Sequence, residues 1–290
     1  MESLNSNFIK SFAVGIRRRW KNGITQAFGV MGAVWLVTEV VTKVIKPVDE
    51  WIVEHGDVYL AIVGAAALIW FLRYTYETRA VSFFVPTTDF RINIKYGNLL
   101  TQETDWLIGV NEFFDSEIGH VVSQASLHGQ FISEVFNGDC ARFREAVDAA
   151  LSALPPVQSE RTILPSARYK IGTTAVLSRG RHKAFLMAMS HTDPVTAKAS
   201  CDVPTLWTAL AGALHSVHHY GNGAPLSMPL VGNGRSSVNV EPQYLLRLIV
   251  LSLVDFGRKV GLPREVNIIL PEACFESLDI REIRRDWEKR

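Results

Sequence analysis

The sequence predicts a membrane-anchored α/β protein: a two-helix transmembrane hairpin followed by a soluble domain built on a largely parallel or mixed sheet covered on both faces. Three observations predict it. Two long apolar segments lie in the first quarter of the 290 residues. The mean hydropathy of the whole chain is +0.11, which points to a membrane-embedded fraction. Beyond about Ala80, short β-type runs alternate with helical periodicities.

The first apolar segment runs over 24–45, "ITQAFGVMGAVWLVTEVVTKVI", and the second over 58–72, "VYLAIVGAAALIWFL". The first is long enough for a hydrocarbon core of about 30 Å; the second falls short unless Arg73 snorkels and the neighbouring aromatics sit at the interface. Arg17, Arg18, Arg19 and Lys21 precede the pair, Arg73 and Arg79 follow it, and the loop between carries Asp49, Glu50, Glu54 and Asp57. The positive-inside rule then puts both termini in the cytoplasm. A cleaved signal peptide and a buried soluble hairpin are the competing readings. Thr25, Gly29, Gly32, Leu36, Glu39 and Lys43 follow alternating steps of four and three, which places them on one helix face. Two uses of that face stay open: packing on the second helix of the same chain, or lining an oligomeric bundle.

Residues 1–79 thus form the N-terminal segment and hairpin, and 80–290 the cytoplasmic domain. Strands are predicted over 80–85, 91–97, 105–111, 173–178, 184–190, 225–232 and 266–271. Helices are predicted over 126–136, 142–154, from Asp202 and Pro204 to Gly221, and over 243–261. Net charge is +1, which gives no sign of a nucleic-acid partner, and the three cysteines include no CxxC pair, so neither a disulfide framework nor a zinc site is indicated. His215 and His219 have zinc-compatible spacing but no third ligand; interaction with a helix C-terminus is the better reading.

Candidate chemistry collects at predicted strand ends, where open α/β sheets bind ligands. Asn111, Glu112 and Asp115 follow one strand. Gly232, Asn233, Gly234, Arg235, Ser236 and Ser237 follow another, and such a loop either wraps a phosphate or is an ordinary turn. It lacks the ending of a P-loop.

Taken in chain order, "INIKYGNLL" (92–100), "LIGVNEFFDS" (107–116), "SLHGQFI" (126–132) and "MPLVGNGRSS" (228–237) resemble a macro domain over roughly Ala80 to Cys274. The resemblance implies a macro-like three-layer α/β/α domain with a mixed sheet. It implies that Gly97, Asn98 and Leu99 lie toward adenosine. Gly129, Gly232, Asn233, Gly234, Arg235, Ser236 and Ser237 would surround a diphosphate, and Asn111 and Asp115 would face the distal ribose or its substituent. Asn98 stands where the family has Asp, and Glu112, Phe113 and Phe114 replace small residues. With the hairpin included, the layout resembles the macro-domain membrane effectors of Thoeris-type antiphage systems. That implies a non-enzymatic antiviral effector in the bacterial inner membrane, needing no cofactor. Its implied ligand is an ADP-ribose derivative, histidine-ADP-ribose, made by a TIR-domain protein. Binding would drive homo-oligomerisation through the Gly29, Gly32, Glu39 and Lys43 face, disruption of the lipid bilayer and abortive infection. A membrane-tethered ADP-ribosyl hydrolase and a non-catalytic reader of ADP-ribosylated proteins are the alternatives.

Overall fold

The computed structural model describes residues 2–119, 121–159, 161, 165–193, 196, 198–234 and 238–288. It divides into two compact units, Met1–Arg79 and Ala80–Arg290.

The first unit is helical: α1 (Glu2–Val44), α2 (Lys46–Glu54) and α3 (Gly56–Thr75). The expected first span at 24–45 is the second half of one 43-residue helix. The Arg17–Lys21 cluster does not interrupt it, because Arg and Lys are good helix formers and no proline occurs before Pro47. The second span is longer than 58–72: it has 20 residues, which at about 1.5 Å each reaches about 30 Å and removes the expected shortfall. Both α1 and α3 are long and apolar enough to cross a membrane.

The two long helices approach at backbone distance near their terminal ends. A Cβ on Gly15 would fall on the Thr75 carbonyl. Beside it the Arg19 guanidinium lies 2.8 Å from the Glu77 carboxylate, both groups buried, with Arg18 3.4 Å away. Farther along, the Tyr59 hydroxyl donates to Thr38 at 2.9 Å. Gly29, Gly32, Glu39 and Lys43 lie on another face. They are exposed, a Cβ on either glycine would meet open space, and Lys43 pairs with Glu39 at 2.9 Å along the helix. Within one chain, therefore, that face does not pack on α3.

The second unit holds β1 (Ala80–Phe84), β2 (Arg91–Tyr96), β3 (Asp105–Asn111), α4 (Leu127–Val135), α5 (Cys140–Leu151), β4 (Thr174–Arg179), β5 (His182–Thr192), β6 (Ala199–Ser200), α6 (Val203–Tyr220), β7 (Leu226–Pro229), α7 (Pro242–Lys259), β8 (Glu265–Leu270) and α8 (Ile280–Glu288). The sheet order is β1-β2-β8-β7-β3-β5-β4, with β6 on β5. The pairs β2/β8, β8/β7, β7/β3 and β3/β5 are parallel; β1/β2, β4/β5 and β5/β6 are antiparallel. The parallel strands are buried on both faces, which is why they read as continuous apolar runs. Leu107, Phe185, Met187, Ile268 and the apolar faces of α6, α7 and α8 form one core. Trp106, Ile108, Val110, Leu186, Ala188 and the faces of α4 and α5 form the other. This is the expected three-layer α/β/α domain with a mixed sheet.

Local chemistry sets the boundaries. Asp202 caps α6 by accepting from Thr205 N at 2.8 Å, and Pro204 sits in its first turn. Asp139 caps α5 the same way, so that helix starts at Cys140 and ends at Leu151, earlier than the expected 142–154. The strand expected over 225–232 stops at Pro229; the chain then turns, with Gly232 at φ +85°. Helices α2 and α8 come in addition to those the sequence predicts.

Candidate functional site

The sheet's parallel strands end together along one edge, and the turns that leave β2, β3, β7 and β8 meet there. Each is stitched by short-range bonds. After β2, Gly97 N donates to Leu270 O of β8 at 3.0 Å. Asn98 Oδ1 accepts from Leu100 N at 2.9 Å and caps the 3-10 turn Leu99–Thr101. An amide oxygen has a second lone pair, so Asn98 can still accept from a ligand amine. Gly97 and Asn98 are exposed, whereas Leu99 is buried in the core beside Ile269. The Leu99 side chain packs in the core, and its backbone is the part left for the turn's outer face.

After β3, Asn111 organises a tight turn. Its Oδ1 accepts from Phe113 N and Asp115 N, both at 3.2 Å, and its Nδ2 donates to Asp115 Oδ2 at 2.6 Å. Phe114 takes φ +50°, a left-handed conformation that is strained for a bulky residue, at a cost of about 1–3 kcal/mol. The carbonyls of Phe113 and Phe114 both accept from Arg144 of α5.

Asp115 does not face outward. Its carboxylate is 1% exposed and accepts from Arg161 Nη1 at 2.9 and 3.1 Å, with the guanidinium stacked 4.3 Å over the Phe113 ring. A buried carboxylate needs such a partner, and Asp115, expected to face the distal ribose or its substituent, holds its carboxylate on Arg161 beneath Asn111. Arg161 Nε and Nη2 are buried and have no hydrogen-bond partner among the described residues.

Gly129 lies in the first turn of α4. Its N–H donates to the Ser126 hydroxyl at 3.1 Å, which caps the helix, and a Cβ there would fall on the Ser123 carbonyl. The glycine is required by close approach of backbone; its own N–H is already used. At the preceding position, burial pushes the His128 imidazole down to about 4.

After β7, Gly232 packs against Val238, while Asn233 and Gly234 are exposed. Asn233 Nδ2 lies 3.5 Å from Cys274 Sγ, which ties this loop to the one after β8. Burial pushes the Cys274 thiol up, and the Asn233 bond opposes that. A Cβ on Gly234 would meet nothing among the described residues. Arg235, Ser236 and Ser237 lie outside the described residues.

Two functional-looking groups were missed by sequence reasoning. Arg161 carries no local signal. His191 sits at the end of β5, and the rule that singled out Asn111 at a strand end applies to it equally. His215 packs edge-on against Phe256 at 4.7 Å. Among the described residues no cluster of three or more His, Cys, Asp or Glu is placed to hold a metal ion. A shallow open hollow lined by Ser82, Asn93, Lys95, Asn267 and Arg284 lies on the sheet face of β1, β2 and β8, away from the strand ends.

The turns after β2, β3 and β7 fall inside the stretch 92–271, and that stretch matches the family model described as Thoeris protein ThsA, Macro domain. The chain belongs to this family. Among solved structures, the ThsA macro domain is similar to an Oceanobacillus iheyensis macrodomain with ADP, at TM-score 0.50 and 11% identity over 73% of this chain and 100% of that one. A mutant of the same Oceanobacillus iheyensis macrodomain with ADPR gives the same TM-score of 0.50 and 11% identity, over 73% and 100% of the two chains. At such identities the likeness speaks for the fold: the ThsA macro domain here is a macro fold with helices added at its N-terminus. No curated protein matches the chain.

Proposed function

We propose that the Ala80–Arg290 unit is a sensor for an ADP-ribose derivative and that the helical unit is its membrane-acting output. The observation that carries this is the ThsA macro family match, which spans the turns after β2, β3 and β7 and the start of α4. Gly97, Asn98 and the Leu99 backbone lie toward the adenosine. Gly129 shapes the helix start, and Gly232, Asn233 and Gly234, with Arg235, Ser236 and Ser237, surround the diphosphate. Asn111 faces the distal ribose. The ligand is a histidine-conjugated ADP-ribose supplied by a TIR-domain protein, and the site binds it without turnover. The hairpin lies in the bacterial inner membrane with both termini cytoplasmic. Binding favours a homo-oligomer in which the Gly29, Gly32, Glu39 and Lys43 faces meet, and the bilayer is breached. A ligand shifts this equilibrium only by binding the assembled state better.

Calorimetric titration of the detergent-solubilised chain tests the sensor. Tight binding of the conjugate with weaker binding of ADP-ribose is expected; a folded protein that binds neither overturns it. The output is tested separately. Gly29→Leu with Gly32→Leu is expected to leave conjugate affinity unchanged, since both positions face open space, and to abolish ligand-induced dye leakage from vesicles. Undiminished leakage would remove that face from the assembly.

A further inference from the structure

One side chain on the strand-end edge is held so as to present an atom outward. Strands β3 and β5 run parallel, and Asn111 pairs with Ser190 across a register shift. The next residues are Glu112 and His191. The Glu112 backbone is fixed on both sides: its N–H donates to Ser190 O at 3.0 Å and its carbonyl accepts from Tyr169 N at 2.9 Å. Its carboxylate is buried. One oxygen accepts from Thr192 N at 3.0 Å and the other lies 3.1 Å from His191 Nδ1. The imidazole itself is 57% exposed.

A carboxylate offers acceptors alone, so Nδ1 of His191 carries the proton of that bond. In the neutral ring this leaves Nε2, on the opposite edge, as an acceptor. A second anionic group is close. Asp202, the cap of α6, is held below the usual carboxylate range by hydrogen bonds from Thr205 first, with His191 among the further causes. The ring also follows the site's own geometry, because it stands one residue past the register partner of Asn111. The bond a carboxylate makes at one ring nitrogen sets which nitrogen carries the proton and what the other offers.

We propose that His191, oriented by Glu112, determines specificity at the distal end of the ligand: its Nε2 accepts a hydrogen bond from an N–H or O–H group on the substituent beyond the distal ribose. This rests on the ADP-ribose reading above. An amine or hydroxyl substituent fits this corner, and an anionic one meets Glu112 and Asp202.

The test compares two probes, ADP-ribose and histidine-conjugated ADP-ribose, on the detergent-solubilised full chain. His191→Ala, an exposed truncation, is expected to weaken the conjugate about tenfold, the effect of one hydrogen bond, and to leave ADP-ribose unchanged. Glu112→Gln provides a second reading. The Gln oxygen must stay on Thr192 N–H, so its NH2 group faces Nδ1 and forces the ring into the other tautomer, with Nε2 now a donor. Conjugate affinity then falls with the imidazole still in place. Equal losses for both probes, or no loss for either, would overturn the assignment while the wild-type titration upheld the sensor. A wild-type chain that binds neither probe would overturn both.

Discussion

Asp115→Ala is expected to destabilise the macro domain by about 3–5 kcal/mol, the usual consequence of stranding one member of a buried ion pair. The Arg161 side chain is fully buried, and two of its nitrogens have no partner among the described residues. Removing the carboxylate leaves the whole guanidinium uncompensated against Phe113. The melting temperature of the full chain should fall by about 10 °C, taking roughly 2–4 °C per kcal/mol for a domain of this size. Combining Asp115→Ala with Arg161→Met should restore most of the loss, because an apolar replacement removes the charge that needed the pair. Asn111 loses its 2.6 Å contact to Asp115 in either variant. Ligand affinity should therefore stay low in the double variant even as stability returns. A single-variant loss below about 1 kcal/mol is the size expected of an exposed pair and would show that this one is not buried in solution.

Gly129→Val is the substitution expected to damage the site most directly. The new Cβ would meet the Ser123 carbonyl and the Gln124 Cα, both backbone, so no side chain can swing aside. The turn before α4 must move, the Ser126 cap is lost at about 1 kcal/mol, and overpacking adds about 1–3 kcal/mol. The expected result is a folded chain with a lowered melting temperature and conjugate binding weakened at least tenfold. Gly234→Val is the control, since its Cβ meets nothing among the described residues. It should leave the melting temperature unchanged and still weaken binding, because the added side chain occupies the face of the loop offered to the diphosphate. Equal binding by Gly129→Val and wild type would separate this helix start from the site.

What the sequence disclosed follows the range of the forces involved. Strand β3 and its terminal Asn111 were legible because an apolar run ending in a polar residue is a local signal. So was α6, where Asp202 and Pro204 mark the start and Leu206, Leu210, Leu214 and Val217 repeat on one face. The continuity of α1 was hidden by Arg17–Lys21, which mimic a boundary by charge while favouring helix by propensity. The inward turn of Asp115 depends on Arg161, 46 positions away, and the orientation of His191 on Glu112, 79 positions away. The first exists only once the chain after α5 folds back onto the turn after β3, and the second only once β3 and β5 are side by side. The Gly129 amide looked available for a phosphate because nothing in "SLHGQFI" shows that Ser126 already uses it.

The latch at Gly15, Arg19 and Glu77 has a mechanical consequence. At 43 residues, α1 is about 65 Å long, twice the thickness of a hydrocarbon core. It is clamped to α3 at one end by backbone contact and a buried ion pair, and joined to it at the other through α2. Such a pair of helices behaves as a single stiff stave and not as a hinge. Freedom within the stave is already frozen in each chain, so in the proposed homo-oligomer copies associating side by side would lose little more than their rigid-body motion. Staves of this kind can form a wall without any of them first coming apart.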